Sequence, residues 1–169
     1  MDHAGTDHDI VAFVRDCAIT HNEKAQTRSI TIKTNLSLAA KIMVFDVERM
    51  NIALSNLIDN AINYSPVGTT VEVSLTADAK STTITVRDHG IGIPETENKG
   101  LFAKFYRGEN AKRVRTSGTG LGLYLTKHII EAHGGSISYQ SNQTDGTIFT
   151  ILLPDKGPVT PTALEGTFI

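Results

Sequence analysis

Three groups of residues in this chain have types and spacings suited to ligand chemistry. Asp88-His89-Gly90-Ile91-Gly92-Ile93-Pro94 is a carboxylate running into a glycine-punctuated loop. Gly118-Thr119-Gly120-Leu121-Gly122 is a second glycine cluster, followed by an apolar helical pattern. Asn56, Asn60 and Asn63 recur at i, i+4 and i+7. A carboxylate is an acceptor that can read a base, and glycines let backbone amides approach phosphates, above all at the start of a helix. A carboxamide oxygen suits Mg²⁺, which takes few protein ligands alongside phosphate oxygens and water. The three groups together point to a nucleotide pocket.

Each group also has a plainer reading. Asp88 closes an alternating run, residues 82–88, on the face shared by Ile84 and Val86, so it is drawn inward and needs donors. An adenine amine is one candidate donor; a backbone amide or water is the other. The loop after it also reads as a tight turn, and Gly118–Gly122 as a glycine turn before a helix. Its G-x-G-x-G spacing after a loop is neither the dinucleotide fingerprint nor a P-loop. The asparagine stripe reads as a solvated helix face. Against that, asparagine costs several tenths of a kcal/mol per helical site relative to alanine, and a merely solvated stripe is expected to use Glu, Lys, Gln or Arg.

The elements that must position these residues follow from periodicity. Helical spacing covers 9–26, and a strand is expected near 29–34. Met43-Val44-Phe45 forms a short strand, and Asp46 caps a helix running to Tyr64. In that helix Val47, Met50, Leu54, Leu57, Ile58 and Ala61 form the apolar face, with the asparagines roughly opposite. Strands at 69–77 and 82–88 make a hairpin. A long irregular lid spans 89–117, a helix spans 120–132, and a second hairpin pairs 136–141 with 147–153. The short connections imply a mostly antiparallel or mixed sheet with helices on one face, an α/β (α+β) two-layer sandwich rather than a doubly wound fold. Residues 1–8 and 155–169 are expected to be flexible, leaving 9–154 as the domain. Within the lid, Lys99, Lys104, Arg107, Lys112, Arg113 and Arg115 outnumber Glu95, Glu97 and Glu109, and Phe102, Phe105 and Tyr106 are expected to pin it to the body.

The 169 residues suit one domain with a real core. A net charge of -2 gives no basic field for nucleic acid or a membrane surface, and no apolar run approaches a membrane span. The one cysteine, Cys17, fits a reducing compartment and reads as a small core residue. His128 and His133 have the wrong spacing for joint metal binding. The expected location is cytoplasmic.

With these residues assembled, the chain resembles the catalytic ATP-binding domain of two-component sensor histidine kinases, in the GHKL ATPase superfamily. Asn56-Leu57-Ile58-Asp59-Asn60-Ala61-Ile62-Asn63-Tyr64-Ser65 looks like the N box and Asp88–Pro94 like the G1 box. Phe102-Ala103-Lys104-Phe105-Tyr106-Arg107 looks like the F box and Gly118–Leu123 like the G2 box. The resemblance implies a Bergerat-type fold that binds ATP with Mg²⁺. By analogy Asp88 receives the adenine amine, and Tyr64, Ile91 and Ile93 pack on the base, with Gly90 and Gly92 shaping the loop. Asn60 coordinates Mg²⁺ and Asn56 lies beside the phosphates. Gly118, Thr119, Gly120, Leu121 and Gly122 bring amides to the phosphates, which Arg107 reaches from the lid. The implied reaction is transfer of the γ-phosphoryl group to a histidine on a separate dimerisation domain, with a response regulator downstream. Two departures stand out. Asn63 occupies a position where the family often has lysine, and no histidine lies in a phosphoacceptor context. Three other functions share the fold: a hydrolytic GHKL ATPase, an anti-sigma-type serine kinase and a non-enzymatic nucleotide sensor.

Overall fold

The structure is a computed structural model that describes residues 5–97, 100–114, 118–142 and 145–155. Strand β1 (Thr6–Asp9) leads into helices α1 (Ile10–Thr20) and α2 (Asn22–Thr27), then strands β2 (Thr31–Leu36) and β3 (Ile42–Phe45). Helix α3 (Val47–Tyr64) and the hairpin β4 (Thr70–Ala77) and β5 (Ser81–Arg87) follow. The long lid carries a 3₁₀ turn (Glu95–Glu97) and helix α4 (Glu109–Val114). Helix α5 (Gly122–Ala132) and the hairpin β6 (Ser136–Asn142) and β7 (Gly146–Pro154) complete the fold.

Five strands form one sheet in the order β2-β4-β5-β7-β6. The β2–β4 pair is parallel and the other three pairs are antiparallel, so the sheet is mixed and mostly antiparallel as expected. Helices α1, α3 and α5 lie against it, with α3 packed most extensively on α5. Period-2 alternation sets the inner face: Thr82, Ile84 and Val86 of β5 stand opposite Leu153, Ile151 and Phe149 of β7, all buried. Onto this face α3 sets Met50, Ala53, Leu54, Leu57, Ile58, Ala61 and Ile62, each 2% exposed or less. Burying a side chain of Leu or Ile size stabilises by roughly 1.5–3 kcal/mol, so this helix is the centre of the core. Asp46 caps it, its carboxylate accepting from the Arg49 amide at 3.0 Å.

Two expectations need correction. Thr6 to His8 are not loose, because with Asp9 they pair antiparallel with β3 from Thr6↔Phe45 to Asp9↔Ile42. Asp9 explains this: its carboxylate accepts from the Lys41 amide and the Val11 amide, both at 3.0 Å. It therefore caps α1 and ties the chain start to β3, and the Lys41 amide foremost holds its carboxyl below the usual range. The helical run 9–26 is also not continuous. It breaks at His21, between α1 and α2, where the ring Nδ1 lies 2.7 Å from the Cys17 carbonyl oxygen. The parts of the expected ends at 1–4 and 156–169 lie outside the described residues.

Because Ile58 is fully buried between α3 and the sheet, Ile58→Ala is expected to cost about 2–5 kcal/mol through lost transfer energy plus a residual cavity. Urea unfolding of both proteins measures it.

Candidate nucleotide-binding site

Alternation along β5 carries past its end to Asp88, which is 6% exposed and continues the face of Ile84 and Val86. Here the inner face of the sheet stops being apolar. Asp88 Oδ1 accepts from the Gly90 amide at 2.8 Å and from the Thr147 amide at 3.1 Å. The Asp88 amide in turn donates to the Thr147 carbonyl at 2.9 Å. Burial pushes the carboxyl above its ordinary range, against the opposing pull of the Gly90 and Thr147 amides. Gly90 is required by space: a Cβ there would stand 2.5 Å from the Tyr64 carbonyl oxygen and 2.9 Å from Asp88 Oδ1.

Asp88 opens into a cavity of about 430 Å³, within the roughly 300–1,000 Å³ usual for small-molecule sites. Tyr64, Ile91, Gly92 and Ile93 line it near this end, with Thr147 and Phe149 from β7. Asn56, Asn60 and Asn63 line it from α3. The asparagines therefore do not form a solvated face. Glu48, Asn51 and Ile52 are the exposed side of α3, and Asn63 is only 9% exposed. The stripe flanks the apolar face instead of opposing it.

The second glycine cluster meets the asparagines. Asn56 Nδ2 donates to the Gly122 carbonyl at 3.3 Å and reaches Thr126 Oγ1 at 3.5 Å, which joins α3 to the start of α5. Gly118, Thr119, Gly120 and Gly122 line the cavity. Leu121 is the α5 N-cap and Gly90 a turn residue; these two shape the wall rather than line it. The helix begins at Gly122, not near 120, so the glycines form a loop ahead of it. No side chain caps α5, so its first-turn amides keep their capacity to hold an anion. Gly120 has φ +68, and a Cβ there would stand 2.6 Å from the Phe105 backbone, so lid and glycine loop fit only without a side chain at that position.

Lid residues close one side. Arg107 and Tyr106 line the cavity, and the Arg107 guanidinium lies against Gly118, where a Cβ would be 3.3 Å away. Phe102 pins the lid to the core, its ring centroid 6.1 Å from that of Tyr139. Phe105 does not: it is 66% exposed, has φ 64, and lies under Lys104. Its left-handed backbone, fitted against Gly120, turns the side chain outward. Lys99 and Arg115, two of the expected lid cations, lie outside the described residues.

Three charged wall residues, Asp59, Glu97 and Lys24, were not among the expected site residues. Asp59 shares the asparagine stripe, at i+3 from Asn56, and was legible there. Glu97 lines the cavity and accepts from the Glu109 amide at 2.9 Å, folding the 3₁₀ turn onto α4. Lys24 comes from α2, thirty-five residues from its partner Asp59, and no spacing rule connects them. His133 is buried and structural: its Nε2 accepts from the Asp46 amide at 3.1 Å.

Comparison with known proteins places this geometry. The sequence pattern of the "Histidine kinase-, DNA gyrase B-, and HSP90-like ATPase" family matches residues 45–157. The chain belongs to this ATPase family. The match contains the asparagine helix, the Asp88 loop, the lid and the second glycine loop. The chain is similar to the sensor-like histidine kinase SenX3 of Mycobacterium tuberculosis, 34% identical over 149 residues, 88% of this chain and 36% of that protein. It is also similar to the sensor histidine kinase WalK of Bacillus subtilis, 38% identical over 149 residues, 87% of this chain and 24% of that protein. The chain thus spans about a third or less of the length of these two relatives. Among solved structures, the mycobacterial sensor histidine kinase MprB aligns with a TM-score of 0.76 and 25% identity over 90% of this chain and 99% of that one. The catalytic domain of histidine kinase ThkA aligns at 0.78 and 24% identity, over 89% and 97%, a likeness of fold. The two-layer α/β architecture is that of the histidine kinase catalytic domains of the GHKL superfamily.

The raised Asp88 carboxyl has a consequence for stability. The folded protein holds this proton more tightly than the unfolded chain, so the group favours folding at acid pH. That contribution falls as pH rises from the ordinary value near 3.9 through the raised folded one. Asp88→Asn, which keeps an Oδ1 acceptor for both amides, is expected to gain stability relative to the parent as pH rises toward neutrality. Unfolding of both proteins across that range reads the difference.

Proposed function

We propose that residues 6–154 form the ATP-binding catalytic domain of a sensor histidine kinase, transferring the γ-phosphoryl group of ATP to a histidine on a separate dimerisation domain. The observation that carries this reading is a buried carboxylate opening into the same cavity as two glycine loops and three asparagines. In this reading the free acceptor capacity of Asp88 takes the adenine amine. Tyr64, Ile91 and Ile93 pack on the base. The amides around Gly118, Gly120 and Gly122 hold the phosphates, and Arg107 closes on them from the lid.

The donor set suits Mg²⁺. Among the described residues no three His, Cys, Asp or Glu side chains cluster to hold a metal alone. Asn60, with Asn56 beside it, supplies carboxamide oxygens, and phosphate and water complete such a shell. Bound there, the ion would supply neutralisation of phosphate charge. The protein's own work is positioning. A histidine nitrogen of the partner domain attacks the γ-phosphorus, the bond to the bridging oxygen breaks, and ADP leaves with that oxygen. Asn56 carries an amide, which is not a general base for water, so transfer is favoured over hydrolysis. The phosphohistidine would then serve a response regulator, on the cytoplasmic side of a larger sensor. No described helix is long and apolar enough to cross a membrane.

Asp88→Asn presents an amide nitrogen or a weaker acceptor to the adenine amine. ATP affinity is expected to fall about 10- to 100-fold, the worth of a hydrogen bond to a charged group, with the fold intact. Isothermal titration with Mg-ATP measures this, and unchanged affinity sinks the pocket assignment. Mixing the chain with the histidine-bearing domain of a cognate kinase and γ-labelled ATP should label that histidine. Release of inorganic phosphate without labelling would instead mark a hydrolytic ATPase.

A further inference from the structure

Two cationic side chains line the cavity among its described residues, Arg107 from the lid and Lys24 from α2. Three carboxylates share its wall: Asp88, Glu97 and Asp59. Asp88 Oδ1 accepts from the Gly90 and Thr147 amides, which leaves Oδ2 for the base in the reading above, and Glu97 Oε1 accepts from the Glu109 amide. Asp59 is paired with Lys24, Nζ to Oδ1 at 2.5 Å, and His21 Nε2 approaches the same oxygen at 3.7 Å. Both members of the Lys24–Asp59 pair are partly open, at 43% and 38% side-chain exposure. A pair this exposed contributes little to stability. Its position is more telling than its strength.

Asp59 falls between Asn56 and Asn60 on the cavity stripe of α3. At 1.5 Å rise per residue it stands about 4.5 Å along the axis from Asn56 and about 7.5 Å from Tyr64. Asn56 touches the Gly122 carbonyl, which marks the glycine-loop end, while the Tyr64 carbonyl adjoins Gly90 and Asp88 at the other. Lys24 is therefore anchored toward the glycine-loop end. Its ammonium has three donors, and Asp59 takes one of them.

We propose that Lys24 is a phosphate-recognising residue of this cavity, presented by α2 and poised by Asp59. The inference rests on the nucleotide reading above. Lys24 is a cation fixed to the body of the domain, whereas Arg107 travels with the lid. It reads the charge of the polyphosphate and not the base, so it discriminates nucleotides by phosphate number. Asp59 holds the ammonium at the wall before binding, and the remaining donors turn to phosphate oxygen.

The test is a set of binding titrations on this chain with ATP, ADP and adenosine in Mg²⁺. Lys24→Gln is expected to weaken ATP about three- to tenfold, ADP less, and adenosine by no more than about twofold, with the ATP loss shrinking at high salt. Lys24→Arg should restore most of the affinity. Removing Lys24 also uncovers Asp59, whose charge alone would repel phosphate, so the comparison is repeated in an Asp59→Asn background. A further loss of ATP affinity on adding Lys24→Gln there supports direct contact. No further loss means that Lys24 only shields Asp59, and overturns the proposal. An equal loss for ATP and adenosine overturns it too, because it marks a structural role. Asp88→Asn in the same series separates the two levels. If it weakens ATP and adenosine while Lys24→Gln changes neither, the nucleotide site stands and Lys24 has no part in it. If Asp88→Asn changes nothing, both readings fall.

Discussion

Asp88 sits where the apolar inner face of β5 runs out, and two backbone amides hold its Oδ1 in place. A carboxylate this buried is unfavourable unless donors satisfy it. The Gly90 amide comes from its own loop and the Thr147 amide from the neighbouring strand, so the satisfied geometry exists only when β5 and β7 are in register. That register is set by the pairing of Val86 with Phe149 and Ile84 with Ile151, deep in the core. The same residues that bury apolar surface thus aim a polar group into the cavity. The glycines around it are close-approach positions: Gly90 leaves room for the end of α3, and the place of a Cβ on Gly146 lies 2.3 Å from the Asp88 carbonyl oxygen.

From that fixed point the cavity is assembled by α3. One side of this helix is buried against the sheet, and the adjoining side carries Asn56, Asp59, Asn60 and Asn63 along the wall. The core therefore sets the rotation of the helix, and the rotation sets where the asparagines point. Asn56 passes this order on to α5 through its contact with Gly122, and the uncapped start of α5 faces the same space. The lid is held more lightly. Phe102 anchors it on Tyr139, while Phe105 projects into solvent with a left-handed backbone, a conformation that bulky residues rarely adopt. Ile93 and Leu101 also pack on the core beside Phe102, so the lid's apolar attachment lies in its first half.

Much of this was legible from periodicity. Alternation in 82–88 predicted an inward Asp88, because side chains on a strand have a strict period of two. Helical spacing identified α3 and its Asp46 cap, and the order of short hairpins predicted a mixed, mostly antiparallel sheet. The failures have local causes. The polar run Thr6–Asp9 has no alternation to announce a strand; it is ordered by Asp9 bonding to Lys41, a contact across thirty-two residues. The break at His21 depends on a side-chain contact with the Cys17 carbonyl that helical periodicity does not register. Phe105 was grouped with Phe102 by residue type, yet the backbone, not hydrophobicity, decides where its ring goes.

Composition, periodicity and local motifs determined the family, the main elements and the side chains with chemical capacity, because each depends on neighbours within a turn or a strand. Tertiary structure decided the rest. It made the asparagine stripe a cavity wall instead of a solvated face, since only packing against the sheet and α5 fixes how α3 is rotated. It also brought Lys24 to Asp59 across thirty-five residues. No periodicity spans that distance, and a folded chain alone brings those two positions together.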